Sequence, residues 1–487
     1  MASNLTVLCI DKIFENLKTD YKTLHSCIFV NSNWCRQGIP FLWYNPFQTA
    51  INPALLINTL FLCLPKIEKQ KYGLTSKNND TSTSVSSYDQ DNDDTLKPMF
   101  PYDSLIKKFS LSDLFVAINE WCSPVPHKRT SRKLLKTFCQ HLIEAAKFEE
   151  LELDFDRLEF FNNDEWDGDS EEWDILRWSC AKNSCSNLQR LQISGEYPAG
   201  ILYSATQLCS NLEAISVTLN PSSHSIAISP ILPDNKVFER IDYLIALIAA
   251  QFSLTSITIS KYHDWESPQD LQGLFDVLVL HSSFLRYIEF CEINLSEQYM
   301  ILDILSIHQQ LEQIVFRDCL LFNSDYYPKL PIESFSKLLV LEFRDTFVAK
   351  SVISLLMLHS ASSLRELILV GSVPFDTIEF LQDYASNNPN IEKFEVYLLS
   401  DQLPSILHVI EIWKHMKSLT FHIHFLMETK AEIPILKFPN STCISDNHLE
   451  LILEYGFVEY LDISSARFVT KNGIENARKN FHVVFHE

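Results

Sequence analysis

Glycine is scarce in this chain, and several classes of protein depend on it. Only nine glycines occur among 487 residues. Nucleotide-binding loops and dinucleotide folds need glycines at fixed turn positions, and neither GxGxxG nor GxxxxGKS/T occurs in the sequence. We therefore expect no nucleotide-binding fold and no cofactor.

The sequence also has no grouped metal ligands and no catalytic motif in a convincing context. Its twelve cysteines are scattered, and the closest pair, Cys180 and Cys185, has no second pair or histidine partner to complete a zinc site. HExxH is missing, and neither paired catalytic carboxylates, a Cys–His nucleophile nor GxSxG stands out. We expect reduced thiols, no metal and no catalytic activity of its own.

Basic residues are outnumbered, with 40 Lys and Arg against 62 Asp and Glu and a net charge of −22. Such a surface repels nucleic-acid phosphates and anionic membranes, so neither is an expected partner. Asp11 and Glu15 interrupt the N-terminal apolar segment, which excludes a signal peptide, and no run approaches the roughly 18 apolar residues of a membrane span. These features predict a cytoplasmic or nuclear protein.

A repeated LxxLxL pattern occupies the chain from residue 148 onward. Its first positions are Phe148, Leu188, Leu212, Leu254, Leu285, Leu311, Leu338, Leu364, Ile391, Met416 and Val458. From Leu285 to Met416, five consecutive spacings are 25–27 residues, within the period of leucine-rich repeats. Segments 351–360 and 403–416 between these triplets have helical periodicity, so each repeat is predicted to be a strand followed by a helix.

The predicted fold is an α/β solenoid, a leucine-rich-repeat horseshoe over 148–487. Residues 48–147 are predicted to form a helical linker or cap. Segment 76–97 within it is polar and acidic, and predicts a disordered loop. The acidic run 162–174 predicts a solvated loop.

Residues 1–47 predict three short helices. Ile10, Ile13, Phe14 and Leu17 follow the spacing of one helix face. Thr19 or Asp20 is suited to cap a second helix, and Asn31 or Ser32 a third that ends near Pro40. The segment holds more apolar surface than three short helices hide. This surface faces either a partner or the following segment ALLINTLFLCLPKI.

This segment resembles an F-box. The residues that match the F-box pattern in order are Leu5, Leu8, Ile13, Phe14, Leu17, Asp20, Leu24, Val30, Trp34, Leu42 and Trp43. Thr6 stands where the family usually has proline, and Tyr21 where leucine is common. The order F-box then leucine-rich repeats is itself similar to a known arrangement in divergent fungal-type proteins.

The resemblance implies a small all-α F-box domain over residues 1–47 that binds a Skp-type adaptor and, through it, a cullin. The implied adaptor-binding residues are Leu5, Leu8, Ile13, Phe14, Leu17, Leu24, Val30, Trp34 and Trp43. The chain would then be a non-catalytic subunit that recruits protein substrates to a Skp–cullin–F-box ubiquitin ligase. The alternative is a leucine-rich-repeat binding scaffold outside any ligase, with F-box-like helices as its cap.

Side chains alternate along strands, so aligning the repeats predicts three outward columns. The first holds Tyr287, Gln313, Val340, Glu366, Lys393 and Ser418; the second holds Glu289, Val315, Glu342, Ile368, Glu395 and Thr420; the third holds Cys291, Arg317, Arg344, Val370, Tyr397 and His422. The candidate substrate-binding residues are Tyr287, Arg317, Arg344, Val370, Lys393, Tyr397 and His422. Arg317 and Arg344 either grip a substrate carboxylate or phosphate, or pair with Glu289 and Glu342.

Overall fold

A computed structural model describes most of the chain. The described residues are 6–49, 52–71, 98–122, 128–158, 170–198, 200–219, 240–261, 271–321 without 297 and 299, 330–371 without 332, 381–399 without 383, 412–413, 418–424, 460–462, 472, 475–476, 479 and 482–484. The loop predicted over 76–97 lies outside them. The chain divides into two compact units, Met1–Phe252 and Ser253–Glu487. This division falls inside the predicted repeat region.

The first unit begins with three short helices, α1 (Val7–Leu17), α2 (Tyr21–Cys27) and α3 (Ser32–Leu42). Asp20 caps α2 by accepting a hydrogen bond from the Thr23 amide at 3.1 Å. Asn31 caps α3 in the same way through the amides of residues 33 and 34. Both caps are among those predicted. Thr6 caps α1, with its hydroxyl accepting from the Cys9 amide at 3.4 Å, so this helix begins on a side-chain cap without proline.

Among the described residues of this unit, nine further helices follow: α4 (Pro46–Thr49), α5 (Pro53–Cys63), α6 (Lys66–Lys71), α7 (Tyr102–Leu105), α8 (Leu111–Cys122), α9 (Lys128–Ala145), α10 (Ala181–Ser184), α11 (Ile201–Leu208) and α12 (Arg240–Ala249). Single 3₁₀ turns occupy Ser170–Trp173 and Ile175–Arg177. Helix α5 packs on α8, and the Trp121 indole of α8 donates a hydrogen bond to Asn58 of α5 at 2.7 Å.

The strands of the first unit are β1 (Lys108–Ser110), β2 (Glu150–Asp154), β3 (Arg190–Ser194) and β4 (Ala214–Leu219). They pair in chain order, all parallel. Leu151, Leu191 and Ile215, the middle positions of three LxxLxL triplets, are in register and buried. Strand β1 lies inside the segment assigned from the sequence to a linker or cap.

The second unit continues the strand–helix alternation. Its strands are β5 (Ser256–Lys261), β6 (Tyr287–Cys291), β7 (Asn294–Leu295), β8 (Gln313–Arg317), β9 (Leu320–Leu321), β10 (Val340–Arg344), β11 (Glu366–Val370), β12 (Lys393–Leu399), β13 (Ser418–His424), β14 (Tyr460–Asp462) and β15 (His482–Val484). Its helices are α13 (Gln272–Leu278), followed by a 3₁₀ turn at Val279–His281, α14 (Ile301–Ser306) and α15 (Lys350–His359).

The sheet order in the second unit is β5-β6-β8-β10-β11-β12-β13-β14-β15, and β7 pairs separately with β9. Every pairing described within this unit is parallel. Among the described pairings, the first and last strands of each unit do not pair with each other, so the parallel sheet does not close into a barrel. The fold is therefore α/β, with an N-terminal helical region followed by parallel sheet and helices.

The last positions of consecutive triplets form the core of the second unit. The rings of Phe290, Phe316 and Phe343 stack on neighbouring strands, with centroids 5.7 and 5.4 Å apart. Phe275 of α13 packs on Phe290 from the helix side, with centroids 6.1 Å apart. Identical residues at identical repeat positions therefore build one aromatic column, as the spacing of the triplets predicts.

The same backbone turn follows four strands that are neighbours in the sheet, β6, β8, β10 and β11. Glu292, Asp318, Asp345 and Gly371 each follow a strand directly and have φ of 56°, 50°, 50° and 89°. At Gly371 a Cβ would overlap the main chain and carboxylate of Asp345, so a side chain there is excluded. The recurrence of one left-handed residue at one position shows that these four segments are structurally equivalent units.

The buried face of α15 is Val352, Ile353, Leu356 and Met357, and His359 at its end is half-buried. One local prediction needs correction. The acidic run 162–174 is not solvated throughout, because Trp173 and Asp174 are buried. Asp174 is accommodated there by a hydrogen bond from the Ser204 hydroxyl of α11, 2.6 Å long.

Candidate docking surfaces

Helices α1–α3, which we call the helical hook, have their own small core. Ile10, Phe14, Leu24 and Trp34 are buried together, and the partly buried side chains packed on them all lie between Ile13 and Leu42. Phe14 meets the Trp34 ring edge-to-face, with centroids 5.6 Å apart and planes at 83°. The hook core is thus built from the hook's own residues, and none of its members comes from the following apolar segment.

Close packing in the hook depends on one glycine. A Cβ at Gly38 of α3 would lie 2.7 Å from Ile28 Cγ2 and 3.0 Å from Phe14 Cζ, tighter than ordinary carbon contacts. Helix α3 therefore approaches α1 and the end of α2 more closely than any other residue at position 38 allows.

Four large apolar side chains remain on the surface of the hook. Leu8 is 81%, Phe29 72% and Val30 51% exposed, and Val7 is exposed as well. Val7 and Leu8 begin α1, while Phe29 and Val30 lie between α2 and α3. We call these four residues the apolar patch. Exposure of this much apolar surface by so small a region is typical of a contact site.

The structure separates the predicted adaptor-binding residues into three groups. Leu8 and Val30 are exposed; Ile13, Leu17 and Trp43 are half-buried; Phe14, Leu24 and Trp34 are interior and support the hook rather than reach its surface. Leu5 lies outside the described residues. Trp43 is held by Tyr102, with ring centroids 4.4 Å apart. Phe29 belongs to the surplus of apolar residues noted in the sequence, but it is not part of the F-box pattern and so was not among the predicted adaptor-binding residues.

In the second unit the predicted columns are in register. The backbone pairs Tyr287 with Gln313, Gln313 with Val340, Val340 with Glu366, Glu366 with Lys393, and Lys393 with Ser418. Cys291, Arg317, Arg344 and Val370 pair likewise, as do Tyr397 and His422; for His422 only the backbone is described. We call the outward side of β6, β8, β10, β11 and β12 the strand face.

Four residues of the middle column of the strand face are buried although they point outward. Val315 and Ile368 are almost fully covered, and so are Glu289 and Glu342. Arg317 and Arg344 of the third column lie against the two glutamates. Val370 and Tyr397, two of the candidate substrate-binding residues, are half-buried.

Arg317 and Arg344 each lie between two glutamates. Arg317 contacts Glu289 through Nη1 at 2.7 Å and Glu342 through Nε at 2.9 Å. Arg344 contacts Glu342 through Nε at 3.1 Å and Glu395 through Nη1 and Nη2 at 2.9 and 3.2 Å. We call this run of five side chains the ion ladder. It corresponds to the second of the two alternatives open from the sequence, pairing with neighbouring glutamates.

The ladder is held at one end by further hydrogen bonds. Glu289 accepts from the hydroxyls of Tyr287 at 2.6 Å and Thr258 at 3.1 Å. Burial, followed by the charge of Glu289, raises the pKa of the Cys291 thiol to about 12, so this thiol is a poor nucleophile. Hydrogen bonds to Glu395 raise the pKa of the Arg344 guanidinium. Lys393 pairs with Glu366 at 3.2 Å and is thus also engaged.

Other kinds of site find no support in the described part of the chain. No group of three or more His, Cys, Asp or Glu side chains is placed there to hold a metal ion. None of the helices described has the length and apolar character to cross a bilayer. Neither a family model nor a curated protein sequence matches the chain.

Proposed function

We propose that this chain is a substrate-recruiting subunit of a Skp–cullin–F-box ubiquitin ligase, with the helical hook as F-box and the strand–helix units as a leucine-rich-repeat horseshoe. The apolar patch is the observation that carries this proposal. A three-helix region that completes its core and still exposes Leu8, Phe29 and Val30 is suited to dock on a partner. The resemblance of the hook to the F-box pattern names that partner as a Skp-type adaptor.

The repeat part of the proposal rests on equivalence of successive units. Parallel strands in chain order, the stacked phenylalanines and the recurring left-handed residue are the geometry that a leucine-rich repeat requires. The proposed role needs no catalytic side chain. Holding a substrate near a ubiquitin-conjugating enzyme accelerates transfer by raising its local concentration.

Adaptor binding tests the proposal directly. Leu8→Asp with Val30→Asp should weaken binding of a purified Skp-type adaptor at least about tenfold, because each change places a charge in the proposed apolar contact. Leu55→Asp is the matched control, since Leu55 of α5 is 62% exposed but lies outside the hook. Calorimetry or co-purification gives the readout. Equal adaptor affinity of the unsubstituted chain, the double variant and the Leu55→Asp control would contradict the proposal.

One observation favours the alternative, a non-ligase scaffold in which the hook caps the repeats. The Tyr44 carbonyl accepts hydrogen bonds from the amides of Lys107 and Lys108, at 3.1 and 2.9 Å, just before β1. The Lys107 carbonyl receives the amides of Glu149 and Glu150 in the same manner. The Tyr44 carbonyl therefore accepts the same pair of hydrogen bonds on the outer side of β1 that the Lys107 carbonyl accepts between β1 and β2. A cap role alone predicts no adaptor binding by the unsubstituted chain.

A further inference from the structure

The strand face of the second unit was a candidate anion site because two arginines stand side by side on it. In the structure, the guanidinium nitrogens of Arg317 and Arg344 already donate to Glu289, Glu342 and Glu395. A phosphate or carboxylate from a partner would have to displace buried glutamates that have no other cation to pair with in the ladder. Three carboxylates against two guanidinium groups also leave the ladder itself negative.

Two more carboxylates stand beside the ladder and differ from it in being unpaired. Asp318 and Asp345 directly follow Arg317 and Arg344 in the chain, in the turns after the adjacent strands β8 and β10, and both are exposed. Among the described residues, neither carboxylate has an ion-pair partner. Burial raises the pKa of Asp318, and the negative charges of Asp345 and Glu292 raise it further. A cation placed between these strands relieves that repulsion.

Apolar side chains border the same strip. Val340, Val370 and Tyr397 are half-buried on the strand face and leave part of their surface accessible. The strip therefore combines five carboxylates, two neutralised arginines and an apolar border along parallel strands about 4.8 Å apart. Its charge complements a cationic segment and opposes an anionic one.

We propose that the strand face docks an extended segment of a partner protein that carries Lys or Arg side chains, with Asp318 and Asp345 as the cation-binding pair. This inference deepens the proposed function, on which it rests for the statement that the segment belongs to a ubiquitination substrate. In an extended segment, alternate side chains point to the same side at intervals of about 7 Å. Alternate basic residues thus all face the strand face while the intervening residues face away.

Peptide binding to the full chain tests this inference without any adaptor. The probes are a fluorescent peptide of alternating lysine and serine, and two peptides of equal length with glutamate or phosphoserine in place of lysine. We expect the lysine peptide to bind with an affinity that falls as salt is raised, and the two acidic peptides to bind more weakly. Tighter binding of the phosphoserine or glutamate peptide would overturn the proposal.

A matched pair of double variants separates the strand face from the general negative charge of the chain. Asp318→Asn with Asp345→Asn should lower the affinity for the lysine peptide on the order of fivefold, as expected for two exposed charge contacts. Asp276→Asn with Glu333→Gln removes the same charge from exposed positions of the same unit outside the strand face, and should leave the affinity unchanged. An equal loss in both double variants would show non-specific attraction and reject the site.

Folding and function are separated by two further measurements. Asp318→Glu with Asp345→Glu keeps both charges and should restore peptide binding, which a folding defect would not allow. Lysine-peptide binding without adaptor binding would reject the ligase role and leave the docking surface standing. Adaptor binding by a chain that does not bind the lysine peptide would reject the docking surface and leave the ligase role standing.

Discussion

In the helical hook, apolar side chains are divided between a closed interior and an exposed patch, whereas on the strand face charged side chains are buried against one another. Phe14 and Trp34 pack within the hook while Leu8 and Phe29 remain outside it. Glu289 and Glu342 of the strand face are covered and hold two arginines. The hook exposes large apolar side chains, which folded proteins usually bury, and the strand face buries glutamates, which they usually expose.

The comparison separates residues that support a surface from residues that form it. The resemblance to the F-box pattern does not distinguish Phe14 from Leu8, yet only Leu8 is exposed. Similarly, Arg317 and Arg344 stand on the strand face but are committed to their glutamates. In both regions the residues most conspicuous in the sequence are supporting residues, and the proposed contacts are their neighbours Leu8, Phe29, Asp318 and Asp345.

The largest effect is expected from a substitution in the buried core of the helical hook. Phe14→Ala deletes a fully buried ring from a core of only four buried residues and should cost about 3–5 kcal/mol of local stability. Because so small a core has little reserve, we expect the amides of 7–42 to lose hydrogen-exchange protection. Leu8→Ala should leave that protection within about 0.5 kcal/mol of the original. Equal effects of the two substitutions would contradict the division into interior and patch.

Removing the central carboxylate of the ion ladder tests the strand face in the same way. Glu342→Gln takes one shared partner from both arginines and should lower the free energy of unfolding by about 1–3 kcal/mol, less than for a fully buried pair because both guanidinium groups are partly exposed.

Glu366→Gln is the matched control on the next strand. Its pair with Lys393 is well exposed to solvent, so its loss should cost at most about 1 kcal/mol. Urea denaturation measures both variants. A larger effect at Glu366 than at Glu342 would show that the ladder is not a supporting element.

A smaller effect should come from the buried His308, which follows α14. His308 Nδ1 lies 2.9 Å from the Ile304 carbonyl and Nε2 3.1 Å from the Leu278 carbonyl. In the first unit, Gln251 follows its helix in the same way and donates from its amide to the carbonyls of Leu247 and Cys209. The glutamine amide has two N–H groups for two acceptors, whereas a neutral imidazole has one.

Burial lowers the pKa of His308, and the neighbouring His281 lowers it further, while the two carbonyls oppose the shift. The unfolded chain therefore takes up this proton more readily. The contribution of His308 is present above the ordinary histidine pKa of about 6.5 and is lost as the pH falls through the lowered folded value. His308→Gln should make the unfolding free energy less sensitive to acid between pH 7.5 and 5. His359→Gln, at a half-buried position of α15, is the control; an equal change in that variant would exclude His308 as the source.

The repeat pattern could be read from the sequence with its register. Phe290, Phe316 and Phe343 occupy the same triplet position, and burying one column of a parallel sheet aligns every other column with it. The same reasoning located the helix caps at Asp20 and Asn31, because a cap depends on one side chain and the two or three amides that follow it. Strand β1 escaped notice because three residues are too few to show a period.

What the sequence by itself determined was the local and periodic part of this protein: the α/β alternation, the columns and the caps, each governed by neighbours in the chain or by one repeating length. Only the tertiary structure decided whether a given side chain is buried or exposed and which partner it contacts. Glu342 meets both arginines because β8 and β10 are adjacent and their side chains reach across one strand spacing. Phe14 is fully covered by α3 because that helix approaches it closely at Gly38. Such choices depend on distances between segments far apart in sequence, which no local pattern contains.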